Sequence, residues 1–288
     1  MDSLLKIIEQ AEKKSAAVGH FNISDCVALK AIFLAAQELD LPVIIGVSEG
    51  EREFIGVKRA ALMVKNLREE FNWPIFLNAD HTHSLEKIKE AALAGFDAVL
   101  FDGGKLPLEE NIKQTKEAVK IAKDINSEIV VEGEMGYIGG GSTMLDKIPE
   151  GAATEGGGLT DPEEAKRFVI ETGVDLLAPA VGNLHGILKN APMPKLDIER
   201  IKKIRQTTGV PLVLHGGSGL TDEDFLKAIE AGVSTIHINT EIRLAWRRGM
   251  EKSLAQKPDE VVPYKILPIA IEEIAEVVRK RLKLFNKL

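Results

Sequence analysis

Short apolar runs punctuate the chain: AVGHF at 17–21, PVIIGV at 42–47, PIFLNA at 74–79, DAVLF at 97–101, EIVVEGE at 128–134, DLLAPAV at 175–181, PLVLH at 211–215 and STIHIN at 234–239. Their length and β-branched content mark strands. Between them, residues 25–39, 56–71, 84–94, 109–124, 161–172, 197–207 and 222–231 carry apolar residues three or four apart, the spacing of helices with one buried face. Helix ends are marked as well. Thr221 precedes Asp222–Asp224, which put negative charge in a first turn, and Gly232 stops that segment; Thr160 and Pro162 open another. Eight strands alternating with helices predict parallel βαβ units, and the count of eight favours an α/β fold of one closed (β/α)8 TIM barrel. Extra helices are expected at both ends, over 1–15 and within 241–287. A doubly wound open sheet is the alternative, but no GxGxxG follows the first strand. No proline- or serine-rich linker interrupts the chain, so residues 1–288 read as a single domain.

In such a barrel the chemistry gathers where strands end in βα loops. The polar residues at those ends are His20, Asn22 and Ser24; Ser48; Asn78, Asp80 and His81; Asp102; Glu132 and Glu134; Asn183, His185 and Lys189; His215 and Ser218; and His237, Asn239 and Thr240. Three of the six histidines, His81, His185 and His215, follow the third, sixth and seventh runs. Neutral imidazole is a common metal ligand, so three imidazoles at equivalent strand ends make a divalent-metal site with open coordination positions.

Composition narrows the setting. A chain of 288 residues with 44% hydrophobic content can bury a large core. Its formal charge of -7 is dispersed among alternating Lys/Arg and Glu/Asp, which excludes a nucleic-acid partner held by bulk charge. Cys26 is the sole cysteine, consistent with a reducing compartment, and no apolar run is long enough for a membrane span. A cytoplasmic protein is expected. A small anionic ligand needs local donors, and HGGSGLTDED at 215–224 offers them: three glycines and a serine between a strand and a helix N-terminus. HINTEIR repeats the arrangement around Thr240. Lys189, four residues after His185, adds a cation, so a phosphorylated substrate is inferred.

These motifs together resemble the class II, metal-dependent ketose-bisphosphate aldolases, which include fructose- and tagatose-bisphosphate aldolases. The resemblance runs through AVGHFN at 17–22, ADH at 79–81, DGGKLPLEENI at 102–112, VEGEMG at 131–136, VGNLHGILK at 181–189, LHGGSG at 214–219 and INTEIRLAW at 238–246. It implies reversible cleavage of a ketose 1,6-bisphosphate, fructose 1,6-bisphosphate preferred, to dihydroxyacetone phosphate and glyceraldehyde 3-phosphate. Tagatose bisphosphate or another ketose phosphate is the alternative, and a non-catalytic metal- and phosphate-binding barrel the remote one. It also implies a Zn2+ ion, or another divalent metal, on His81, His185 and His215, polarising the ketone. Asp80 is then the acid/base on the C4 hydroxyl. Glu134, with Asp102 as companion, matches a second or mobile metal position. Gly186, Lys189, Gly216, Gly217, Ser218, Asn239 and Thr240 match loops for phosphate and a monovalent cation (Na+ or K+), and Asn22 and Ser48 match positions near the ketose backbone. A homo-oligomer, dimer or tetramer, is implied too.

Three positions depart from the family pattern. The glutamate usual in the loop after the fifth strand is Ser142 here, which leaves Asp146, Glu150 and Glu155 as replacements in a long glycine-rich lid. His237 stands where an asparagine is common. His20 stands where a small residue is usual.

Overall fold

In the computed structural model, which describes residues 2–154 and 157–288, eight parallel strands close into a barrel. These are β1 (Val18–Asn22), β2 (Val43–Val47), β3 (Ile75–Thr82), β4 (Ala98–Phe101), β5 (Val130–Met135), β7 (Leu176–Pro179), β9 (Leu212–Leu214) and β10 (Val233–Ile238). β1 pairs with both β2 and β10, which completes the ring. All eight lie on the eight apolar runs. Two further strands, β6 (Met144–Leu145) and β8 (Ile187–Leu188), pair with each other above the barrel. At two residues each they show no periodicity, and the sequence reading did not find them.

The helices are α1 (Leu4–Lys13), α2 (Cys26–Glu38), α3 (Glu49–Ile55), α4 (Val57–Phe71), α5 (Leu85–Ala94), α6 (Leu108–Ile125), α7 (Pro162–Thr172), α8 (Ile198–Thr208), α9 (Asp222–Glu230), α10 (Thr240–Gln256) and α11 (Pro263–Asn286). α3 was not expected. It is a two-turn insertion held by a capping box of Ser48 and Glu51, and it ends at Gly56 with φ of 93°. α7 is capped by Asp161 rather than Thr160, whose hydroxyl donates instead to Met135 O.

Each strand sorts its side chains by the two-residue repeat. Phe21, Ile45, Leu77, Val99, Val131 and Leu177 face outward and join the helices in the main core. Val18, Ile44, Phe76, Ala98, Val130, Leu176 and Val213 form a separate inner cluster that Leu4 and Ile8 of α1 cover. One mouth of the barrel is thereby shut by an apolar floor. Two residues further along, the inner positions turn polar, with His20, Asn78, Glu132 and His215 all buried. The C-terminal segment packs on the barrel: α11 buries Ile274, Val278, Leu282 and Phe285 against α10 and α2. Among the described residues no helix is long and apolar enough to cross a membrane.

Candidate active site

β3 makes the first unusual move. Strict alternation would send Asp80 and His81 to opposite faces, but the pairing with β4 shifts register between Ala79 and Thr82, and His81 adopts a left-handed φ of 39°. This bulge turns both side chains toward the mouth of the barrel. A non-glycine residue holds such a conformation only where its surroundings impose it. Arg52 of α3 does so: its Nη1 donates to Asp80 O at 3.2 Å and to Val47 O at 2.7 Å, and its Nη2 donates to Thr82 Oγ1 at 2.9 Å. The guanidinium thus grips the chain on both sides of His81. Sequence reasoning missed Arg52, because a charged residue in a short amphipathic helix gives no sign of burial.

His81, His185 and His215 converge, with one nitrogen from each inside a 4.8 Å cluster. Every imidazole is held by its other nitrogen. His81 Nδ1 lies 2.8 Å from Asp102 Oδ2, His215 Nε2 lies 2.7 Å from Glu132 Oε1, and His185 Nδ1 lies 3.1 Å from Gly139 O. Each of these partners is an acceptor, so each outer nitrogen carries a proton and each inner one is left to face a cation; although burial lowers it, Asp80 and Asp102 hold His81 well above the usual imidazole range. The inner nitrogens of His81 and His215 stand 3.2 Å apart. At that distance the two nitrogens hold a proton between them, and a metal cation can take the proton's place. The donor set therefore fits a divalent metal. Glu132, among the polar strand ends but given no role there, holds His215 in place. Asp102 does the same for His81, while Glu134 Oε2 is buried without a hydrogen-bond partner, 3.5 Å from His81 Nδ1. Burial, with Asp102 alongside, pushes Glu134 up to about 8.

Asp80 lies beside this cluster. Its Oδ2 accepts from Asn22 Nδ2 at 2.8 Å, and Asn22 also donates to Glu51 Oε2 at 2.9 Å. Oδ1 is buried without a hydrogen-bond partner, 3.9 Å from His81 Nε2. Burial raises the Asp80 carboxyl, but the charge of His81 above all, with a hydrogen bond from His237, outweighs it and holds the group well below the usual carboxylate range. His237 Nδ1 is 3.4 Å from Asp80 Oδ1, and its ring stacks on His20 with centroids 3.4 Å apart and planes within 2°. Ser48 caps α3 and lines the cleft beside Asp80.

The anion cradle differs in detail from the sequence expectation. The N-terminus of α9 carries its own capping box, Thr221 with Asp224, which uses two of the amides there, and no residue of α9 lines the pocket. The amide of Gly217 is also spent, donating to His237 O at 3.3 Å. The open end belongs to α10, whose N-cap Asn239 makes no side-chain cap bond and whose Thr240 lines the pocket. Gly186, Gly216, Ser218, Asn239 and Thr240 meet around it, next to His185 and His215. Gly216 has a φ of 62° and lies so close to Leu184 that a Cβ would come within 2.4 Å of its carbonyl oxygen. Lys189 is turned away, paired with Asp146 Oδ1 at 3.0 Å across the β6–β8 sheet.

A cleft of about 590 Å³ opens from this pocket and is lined by Ser48, Asp80, His81, Lys105, Ser142 and Arg243 among others. Ser142 sits at its edge, where its carbonyl accepts from Arg243 Nη1 at 3.0 Å. Asp146 and Glu150 are exposed and do not line the cleft; Glu155 lies outside the described residues.

A class-II fructose-bisphosphate aldolase family model matches residues 2–288. The chain belongs to the class-II fructose-bisphosphate aldolase family. It is 38% identical over 287 residues to the fructose-bisphosphate aldolase of Geobacillus stearothermophilus, covering 99% of this chain and 96% of that one. Among solved structures it is similar to the YdjI aldolase from Escherichia coli K12, with TM-score 0.81, 29% identity and coverage of 99% and 96%. Fructose-bisphosphate aldolase from Campylobacter jejuni matches with TM-score 0.82 at 20% identity, covering 98% of this chain and 94% of that one, and speaks to the fold alone. Class-II aldolases are metal-dependent lyases of phosphorylated ketoses, and the imidazole cluster, carboxylate and anion cradle stand together at one barrel mouth, as such chemistry requires.

Proposed function

We propose that this chain cleaves a ketose 1,6-bisphosphate, with fructose 1,6-bisphosphate preferred, to dihydroxyacetone phosphate and glyceraldehyde 3-phosphate. The observation that carries the reading is the set of three inward imidazole nitrogens with Asp80 beside them. Zn2+ on His81, His185 and His215 would supply Lewis-acid polarisation of the ketone. The remaining roles belong to the protein. Asp80 is ionised and aimed into the cleft, so its Oδ1 takes the proton of the C4 hydroxyl as the C3–C4 bond breaks, and returns it in condensation. Asn22 fixes the rotamer of Asp80 through the other oxygen. Asp102 and Glu132 keep His81 and His215 in the tautomers that face inward. Gly186, Gly216, Ser218 and Thr240, at the α10 N-terminus, receive one phosphate. Arg243 and Lys105, the cations lining the cleft, face the other. A monovalent cation beside the first phosphate, and a second metal position at Glu134, belong to the same reading.

Asp146, Glu150 and Glu155 stay as the carboxylates for the C1 proton, and Asp146 and Glu150 reach it only if the lid closes. Proton exchange at C1 in the three alanine variants tests this: normal exchange in all three removes them from the role. The stacked pair of His20 and His237 against Asp80 favours one further reading, in which the sugar is the C4 epimer tagatose bisphosphate or another ketose phosphate. Coupled assays with both bisphosphates, with and without chelator, decide between them. Chelator-insensitive cleavage defeats the metal mechanism, and no turnover of either sugar defeats the substrate assignment. We further propose that the chain works in the cytoplasm as a homo-oligomer; exposed Phe54, Val261 and Tyr264 support assembly, and light scattering measures it.

A further inference from the structure

The anion cradle is tied to the far end of the chain. Arg281, on the last turns of α11, is 7% exposed. It donates from Nε to Glu241 Oε2 at 2.9 Å and from Nη2 to Glu241 Oε1 at 2.7 Å, a two-pronged pair. Its Nη1 donates to Asp222 Oδ1 at 3.0 Å on the first residue of α9, and the guanidinium lies over the Phe225 ring at 4.7 Å. Glu241 is no bystander to the cradle. It follows Thr240 in the first turn of α10, its Oε1 accepts from Gly219 N at 3.0 Å, and its own amide donates to Ser218 Oγ at 3.3 Å. Glu241 therefore ties the 216–219 loop to α10 twice, through its carboxylate and through its amide.

That carboxylate also poses a difficulty. A full negative charge adjoins the place where a phosphate is to be held, on the helix end whose positive potential attracts it. Arg281 resolves the conflict, because a two-pronged guanidinium cancels the charge of Glu241 while leaving Oε1 able to hold Gly219. We propose that Arg281 is a positioning residue for phosphate binding, acting through Glu241 to fix the loop and to neutralise it. The cradle is then competent only with α11 docked. This rests on the reading of the loop as a phosphate site.

The test uses the full chain and inorganic phosphate as probe, read both as competitive inhibition and as saturable protection against heat. Arg281→Met weakens phosphate binding by about tenfold, since a partly buried carboxylate is left uncompensated beside the anion. KM rises by a similar factor while kcat changes little, as for a contact made equally before and during reaction. The double variant Arg281→Met/Glu241→Gln regains most of the phosphate affinity, which a purely structural role for Arg281 would not produce. Arg279→Met, which removes a neighbouring cation from α11, leaves phosphate affinity unchanged. Should Arg281→Met fail to fold, Arg281→Lys, which keeps the charge and loses the fork, gives a smaller loss of about threefold. Unchanged phosphate affinity in Arg281→Met, or in the lysine variant used in its place, overturns the proposal alone, as does a double variant no better than the single one. A native chain that phosphate neither inhibits nor protects overturns the reading of the loop, and the proposal with it.

Discussion

The two mouths of the barrel are made by the same strands and share almost no chemistry. At the floor, Val18, Ile44, Phe76, Val130 and Val213 pack under α1. Two or four residues along the same strands stand His20, Asn22, Asn78, Asp80, Glu132, Glu134 and His215, also buried. The difference shows how one scaffold divides its labour: each strand is anchored by apolar burial at its start and carries at its end groups that cost stability to bury. Part of that polar burial is matched to neighbours, Asn22 to Asp80 and Glu51, and Glu132 to His215, while His20 Nδ1, Asn78 Oδ1, Asp80 Oδ1 and Glu134 Oε2 have no hydrogen-bond partner, a cost concentrated where a site needs it.

Substitutions at the two mouths should therefore separate activity from stability. Asp80→Asn gives the largest effect on turnover, a loss of about 10²–10⁴ in kcat, with the fold retained. A coupled cleavage assay beside a thermal melt checks both halves, and an active variant removes Asp80 from the acid/base role. Phe76→Ala, four residues earlier on the same strand, should do the reverse. Removing a large buried ring from the floor costs about 3–5 kcal/mol of stability, read by denaturant unfolding, while the folded fraction keeps its kcat. If Phe76→Ala also lowers kcat in the folded protein, floor and rim are mechanically coupled and the division fails.

The contrast also decides what could be read from the sequence. The floor and the helices follow periodicity, so all eight strands and the helices between them, α3 excepted, were legible, and so was the convergence of His81, His185 and His215. Periodicity says nothing about a bulge. That Asp80 and His81 share a side depends on the left-handed turn at His81 and on the grip of Arg52, a contact between α3 and β3. The anion cradle was half legible for a related reason. Glycines at 216 and 217 mark a tight loop, but which helix end meets the pocket depends on tertiary placement, which brings Asn239 and Thr240 of α10 there and no residue of α9.

A smaller effect concerns Glu134, the rim carboxylate whose Oε2 is buried without a hydrogen-bond partner. Its pKa rises from 4.5 to about 8 on folding, chiefly by burial. The folded state thus binds this proton more tightly than the unfolded chain, and the stability it contributes is complete below 4.5 and is lost as pH climbs through about 8. In chelated protein, Glu134→Gln should melt higher than the parent at pH 8.5 and close to it at pH 4.5. Equal differences at both pH values would show that Glu134 does not titrate in this window. Added Zn2+ should shrink the gap at high pH, because a nearby cation favours the ionised carboxylate.

The smallest predicted change lies between floor and rim. His20 and His237 are direct register partners on β1 and β10, and their stacked rings leave His237 Nδ1 3.4 Å from Asp80 Oδ1. Asn78 Nδ2 approaches His20 Nε2 at 3.2 Å, which makes that nitrogen the acceptor and leaves the ring neutral; burial likewise lowers His20 to about 4. Room for the ring exists because residue 46 is glycine: a Cβ there would come 2.1 Å from His20 Cε1. His20→Ala removes the support on one face of His237, so kcat should fall by about tenfold through a misplaced Asp80, while KM stays near the parent value because the phosphate cradle is untouched. Gly46→Ala offers an independent route to the same displacement from another strand, pushing the His20 ring instead of deleting it. The two variants should lower kcat alike. If His20→Ala turns over at the parent rate, the stack is packing only, and Asp80 is held by Asn22 and the β3 bulge without help from the layer beneath.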